Sequence, residues 1–116
     1  MKTEEPTRQN WASLNRLAAS FGDAFYVLDD QRFERNFRAF EAAFRARYEN
    51  TRIGYSYKTN YTPHLCRVVD SLGGYAEVVS EMEYELAERI GVDPDRIIVN
   101  GPLKSERCVS RALLGG

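Results

Sequence analysis

The chain has 116 residues, enough for one small domain, and its 43% hydrophobic and 28% charged side chains exclude a disordered polymer. Sixteen basic and seventeen acidic residues leave a formal net charge of −1, and no long basic stretch occurs, so neither nucleic acid nor an anionic membrane is an expected partner. The start, MKTEEPTRQNW, lacks the apolar core of a signal peptide, and no apolar run is long enough to span a bilayer. Cys66 and Cys108 are too few and too widely spaced for a disulfide framework. The expectation is a reducing cytoplasm, with both thiols as small buried side chains.

Residues 1–9 read as a loose tail, and Asn10 can cap a helix carrying Trp11, Leu14, Leu17, Ala18 and Phe21 on one face, stopped by Gly22. AFYVLDD (24–30) has the composition of a short strand. Asp29 and Asp30 suit the positive end of a following helix, along which Phe33, Phe37, Phe40, Phe44 and Tyr48 advance in steps of three or four. RIGYSYK (52–58) reads as a strand ending on Lys58. The next helix spans 62–74, with Thr62 as a possible cap, Pro63 at its first position and Gly73–Gly74 at its end. YAEVVS (75–80) is the next strand. The helix after it (80–91) opens on Ser80 and Glu83, spaced as a capping box. RIIVN (96–100) is a third strand, GPLKSE a loop, and a last helix begins near Ser105.

Taken from Ile53, Tyr75 and Ile97, the strands start twenty-two residues apart each time. Short strands joined through helices must run parallel, and their near-continuous apolar character suits a sheet covered on both faces. A doubly wound sheet and part of a (β/α)8 barrel both fit this pattern. Three βα units fall well short of the roughly 250 residues of a closed barrel. Alone they would expose two sheet edges. The expectation is therefore the N-terminal portion of something larger.

In a parallel βα array, chemistry gathers at the carboxyl ends of the strands. Lys58, Glu77, Ser80 and Asn100 fall in or at those ends. A lysine in a low-dielectric site loses its proton more readily than one in water, and the neutral amine can attack a carbonyl. The competing reading is a solvated strand end. Glu77 lies inside an apolar strand and needs a partner; Glu83 also reads simply as the capping-box glutamate. His64 is the only histidine, with no cluster of metal-ligand spacing around it, so no metal is expected. Phosphate-binding glycine motifs and the nucleophile elbow are missing from the sequence.

In order, FYVLDD, YSYKTN, AEVVSEMEYELA and DRIIVNGPLKS resemble the N-terminal barrel segments of the fold-type III pyridoxal-phosphate-dependent decarboxylases, the family of diaminopimelate, ornithine and arginine decarboxylases. The resemblance covers about residues 24–114. It implies a partial (β/α)8 barrel over 24–116, its first three βα units preceded by a tail and helix (1–23) and a short strand. It also implies pyridoxal 5′-phosphate as cofactor, held by Lys58 as a Schiff base, with Ser56, Glu77 and Glu83 lining its pocket. Glu77 stands where the family usually has an aspartate, and Thr59 replaces the usual alanine. The reaction implied is decarboxylation of an amino acid, diaminopimelate or another basic one, in a cytoplasmic homodimer. The related alanine racemases follow their lysine with a glycine-rich segment, whereas TNYTPHL stands here and favours the decarboxylase branch. The family's phosphate loop, its pyridine-nitrogen partner and its second domain are not found in these residues, so the chain alone is expected to be inactive. A truncated relative that binds a full-length partner is the alternative from another class.

Overall fold

The computed structural model describes residues 11–115; the expected tail and the Asn10 cap lie outside them. Helix α1 runs Trp11–Phe21, as its apolar spacing predicts. The aromatic run after it does not become a strand: residues 24–29 have no regular secondary structure. Strand propensity reflects packing against a neighbour, and this segment finds no partner strand, so Tyr26, Val27 and Leu28 remain exposed. The expected short strand ahead of the βα units is thus corrected to irregular chain.

Helix α2 spans Asp30–Arg45, its N-terminus closed by Asp29, whose carboxylate accepts from the backbone N–H of Arg32 at 2.9 Å. Of its aromatic stripe, Phe37 is buried while Phe40 and Phe44 are exposed and pack on one another, ring centroids 4.9 Å apart.

Three βα units follow. Strand β1 (Gly54–Ser56), helix α3 (Pro63–Ser71), β2 (Tyr75–Val78), α4 (Glu81–Ile90), β3 (Ile97–Val99) and α5 (Glu106–Gly115) alternate, and the strands form one parallel sheet in the order β1-β2-β3. Strands that step steadily in one direction are the arrangement of a barrel wall; a doubly wound sheet reverses its order. β1 is shorter than expected. It ends at Ser56, and Tyr57–Thr59 form a 3-10 turn, so Lys58 lies just beyond the strand.

Alternation sorts the side chains between the two faces of the sheet. Ala76 and Val78 of β2 point to the helices, where they join Tyr57, Cys66, Tyr84 and Ala87 in the buried core. Each large apolar side chain buried here contributes about 1.5–3 kcal/mol. Cys66 and Cys108 are both buried and unpaired. Gly54, Ser56, Tyr75, Glu77 and Ile98 occupy the opposite face, in a register that sets Gly54 beside Tyr75, Ser56 beside Glu77, and Glu77 beside Ile98.

The amino ends of β2 and β3 are fastened to the end of α3 by one arginine. Arg96 reaches Asp70 at the end of α3 through a 2.6 Å ion pair, and its other terminal nitrogen donates to the carbonyls of Asp70 (3.3 Å) and Gly74 (3.2 Å). At that turn Gly73 takes a φ of +80°, which a side chain with a Cβ disfavours. Helix α5 docks on α4 through Arg107 to Glu81 (3.0 Å) and Arg111 to Glu85 (3.2 Å) and Glu88, with the Arg111 guanidinium 5.5 Å from the centre of the Tyr84 ring.

Candidate active site

The turn carrying Lys58 is held by the residues on either side of it. Tyr57 points inward, almost wholly buried, and packs in one cluster with the Cys66 thiol of α3. Burial raises the pKa of both groups, so the pair stays neutral and packs as core. Thr59 Oγ1 donates to the Ser56 carbonyl at 2.7 Å, and Tyr55 Oη to the Asn60 carbonyl at 3.0 Å. Asn60 Oδ1 in turn accepts from the backbone N–H and the hydroxyl of Thr62, at 3.1 and 2.7 Å. Thr62 therefore does not cap α3 with its own side chain as expected; that helix starts from Pro63 behind an Asn60-centred turn. Inward anchoring of Tyr57 turns Lys58 outward, to an exposed position at the carboxyl end of β1.

Glu77 is half-buried on the open face of β2. Its carboxylate accepts from Asn100 Nδ2 at 2.9 Å. Its pKa lies below the ordinary glutamate value. The Ser56 hydroxyl is the largest cause, partial burial opposes it, and Asn100 and the Lys58 ammonium add to the lowering. Ser56 Oγ is itself buried without a hydrogen bond of good alignment. Its influence on Glu77 is therefore a close approach, and the hydroxyl still has hydrogen-bonding capacity to offer.

Glu83 lies apart from this group, inside the β2–α4 connection and only 5% exposed. The Ser80 hydroxyl accepts from its backbone N–H at 3.3 Å, one half of the expected capping box. The other half is shifted by one residue: the Glu83 carboxylate accepts from the backbone N–H of Val79, at 2.9 Å. His64 is engaged with Asp30, Nε2 to Oδ2 2.7 Å, tying α3 to the start of α2.

Lys58, Ser56 and Glu77 are thus brought together on one face at the carboxyl ends of adjacent strands, and Glu83 is turned toward the backbone behind them. Sequence reasoning places Asn100 at a strand end but assigns it no partner. The parallel register carries that information, because Ile98 pairs with Glu77 and Asn100 lies two residues further along the same face. This group can offer an amine with no ion pair among the described residues, an ionised carboxylate and an unsatisfied hydroxyl.

Residues 30–116 match the family model of the pyridoxal-dependent decarboxylases, pyridoxal binding domain. The chain belongs to this family. Its cofactor is pyridoxal phosphate, and the residues on the open face fit that group: a free primary amine to combine with an aldehyde, an acidic partner, and Ser56 Oγ as a buried oxygen short of a partner. Among its relatives, the diaminopimelate decarboxylase of Aquifex aeolicus is 35% identical over 101 residues, 87% of this chain and 23% of that protein. The diaminopimelate decarboxylase of Methanothermobacter thermautotrophicus is 33% identical over 85 residues, 73% of this chain and 20% of that protein. The crystal structure of Methanocaldococcus jannaschii diaminopimelate decarboxylase with L-lysine superimposes with a TM-score of 0.79 at 28% identity, covering 86% of this chain and 24% of that one. Lysine decarboxylase from Selenomonas ruminantium, solved with pyridoxal phosphate and cadaverine, shares the fold at a TM-score of 0.80 and 24% identity, over 97% of this chain and 28% of that one. The chain spans about a quarter of the length of the relatives it matches.

Proposed function

We propose that this chain supplies the lysine-bearing wall of the cofactor site in a pyridoxal-phosphate-dependent amino acid decarboxylase, with diaminopimelate or another basic amino acid as substrate. The observation that carries the reading is the convergence of Lys58, Ser56 and Glu77 on one face at the carboxyl ends of parallel strands, in a chain whose relatives are diaminopimelate decarboxylases. When bound, pyridoxal phosphate supplies an electron sink for the pair released as carbon dioxide departs. Holding, exchanging and orienting the reacting groups fall to the residues of this chain. Lys58 would hold the cofactor covalently through Nζ and would be the amine that exchanges with the substrate's amino group. Its outward orientation, fixed by the buried Tyr57, makes it available for that exchange. Glu77, kept ionised, would favour the protonated state of a nitrogen carried on Lys58. Ser56 turns its remaining hydrogen-bonding capacity to the bound group. Glu83 acts on the pocket through the Val79 backbone that it holds.

Three strands form one side of a pocket, so the isolated chain is proposed to be inactive. The test is a chimera in which this chain replaces the matching quarter of the A. aeolicus enzyme. Carbon dioxide release from diaminopimelate by the chimera, lost on Lys58→Ala and not seen with the chain alone, is the expected result. Exchange of the substrate's α-proton without carbon dioxide release would overturn the decarboxylase reading in favour of a racemase. A second reading, a partner-binding role, draws on the unpaired edge of β3 and on the exposed Ile98, Leu103, Leu113 and Leu114. Sedimentation of the lone chain as a folded monomer would count against it.

A further inference from the structure

Glu77 has a longer side chain than an aspartate, and a flexible carboxylate on an open sheet face samples several rotamers unless something fixes it. Two neighbours flank this one from opposite sides, and one of them holds it. Ser56 stands beside it on β1, in direct register. Asn100 reaches it from beyond β3, Nδ2 to Glu77 Oε1 2.9 Å. Asn100 is itself anchored, because its backbone N–H donates to the Val78 carbonyl at 2.8 Å and extends the β2–β3 ladder by one residue. Its side chain therefore starts from a fixed backbone and points back across the sheet. The next residue, Gly101, has a φ of +96° and approaches Val79 so closely that an added Cβ would lie 3.1 Å from the Val79 carbonyl oxygen and Cβ. The tight turn after β3 thereby holds Asn100 at the sheet. An asparagine amide suits this position, because its NH2 donates to the carboxylate without adding charge.

We propose that Asn100 is a positioning residue that clamps the Glu77 carboxylate on the open face of the sheet, leaving its second oxygen directed toward the Lys58 amine and the group that amine carries. This deepens the function proposed above and rests on it for the identity of that group. The clamp itself is a property of the chain alone.

The experiment has two readouts. The first is the carbon-13 NMR titration of the Glu77 carboxyl in the cofactor-free chain. Asn100→Ala should raise the Glu77 pKa toward the ordinary glutamate value, and Asn100→Asp should raise it further by placing a second carboxylate beside it. Asn100→Ser, which keeps a donor on a shorter reach, should fall between wild type and Asn100→Ala. The second is the pH midpoint of the visible absorbance of the lysine-bound cofactor in the chimera. Asn100→Ala should lower it by about half a pH unit, roughly a threefold loss of proton affinity, because Glu77 no longer faces the Lys58 nitrogen. Glu77→Gln should lower it by at least as much, and adding Asn100→Ala to Glu77→Gln should change nothing more. A Glu77 titration that Asn100→Ala leaves unmoved overturns the clamp while the assigned function stands. A titration that moves without any change in the absorbance midpoint overturns the direction of the clamp toward Lys58. Absorbance that forms on a lysine other than Lys58 removes the assigned function, whatever the titration shows.

Discussion

Gly74 ends the α3–β2 turn at a backbone conformation open to any residue, so only the space around it decides whether a side chain fits. A Cβ added there would lie 2.6 Å from Val69 Cγ1, 3.0 Å from Phe37 Cζ and 3.1 Å from the Val69 carbonyl oxygen. Ordinary carbon contacts lie at about 3.5–4.0 Å, so the valine methyl must retreat by roughly an ångström. It has little room to do so: Val69 and Phe37 are both buried, and the Val69 carbonyl already accepts from the Gly74 N–H at 2.9 Å. Overpacking of this kind costs about 1–3 kcal/mol. Stiffening the unfolded chain by Gly→Ala offsets about 0.4–1 kcal/mol of that. Gly74→Ala should therefore destabilise the fold by about 1–2 kcal/mol, a fall of roughly 0.5–1 M in the urea midpoint. Gly73→Ala serves as the contrast. Nothing lies within 4 Å of its Cβ, so it carries only the strain of φ +80°, and Gly73→Asn should recover part of the loss. In the Gly74→Ala background, Val69→Ala should cost less than it does alone. A midpoint for Gly74→Ala equal to or above wild type would refute the steric argument.

The amino end of the sheet and the β2–α4 connection make further tests. Arg96→Ala should cost about 2–3 kcal/mol, the range of charge-assisted hydrogen bonds to a partly buried partner, and Arg96→Lys should recover little because one ammonium cannot span Asp70 and Gly74 together; a lysine variant with the wild-type urea midpoint would count against the fork. Glu83→Ala should cost about 1–3 kcal/mol by leaving the Val79 N–H without its acceptor, whereas Glu83→Gln keeps an oxygen in place and should cost less than about 1 kcal/mol; equal losses would mean that charge, and not the backbone contact, holds the loop. Since the folded-state pKa of Glu77 is depressed, its ionised form stabilises the fold above the ordinary glutamate pKa, and that contribution is lost as the pH falls through the depressed value. Ser56→Ala should move the Glu77 carboxyl titration upward and shrink this acid-dependent part, and an unmoved titration would remove Ser56 as its main cause.

The βα rhythm is readable from the chain because the apolar runs at 53, 75 and 97 each have only one use in so short a domain, as parallel strands against helices. Local chemistry is also readable where it depends on near neighbours, as in the Asp29 cap, Pro63 at the start of α3 and the Ser80 half of the capping box. What escapes depends on distant partners. AFYVLDD has the composition of a strand, but composition does not supply the neighbour that pairing requires, and these residues stay unpaired. The stripe from Phe33 to Phe44 gives the helix correctly, yet Tyr48 falls beyond its end at Arg45 and only Phe37 of the stripe is buried. Lys58 is legible, but the early end of β1 is not, since a 3-10 turn differs little from a strand end in composition. The Asn100–Glu77 contact, twenty-three residues apart in sequence, becomes visible only with the register of β2 against β3.

Every role proposed for the open face depends on Lys58 carrying the cofactor. The chain has three lysines, Lys2, Lys58 and Lys104, so the site can be mapped on a single peptide digest. Stoichiometric pyridoxal phosphate is added to the chimera and to the chain, borohydride fixes the adduct, and the labelled peptide is sequenced. The pyridoxyl group is expected on Lys58 and should be lost in Lys58→Ala. Label on Lys104 or Lys2, or on a lysine contributed by the A. aeolicus part, with Lys58 left unmodified, would rule Lys58 out as the cofactor's anchor.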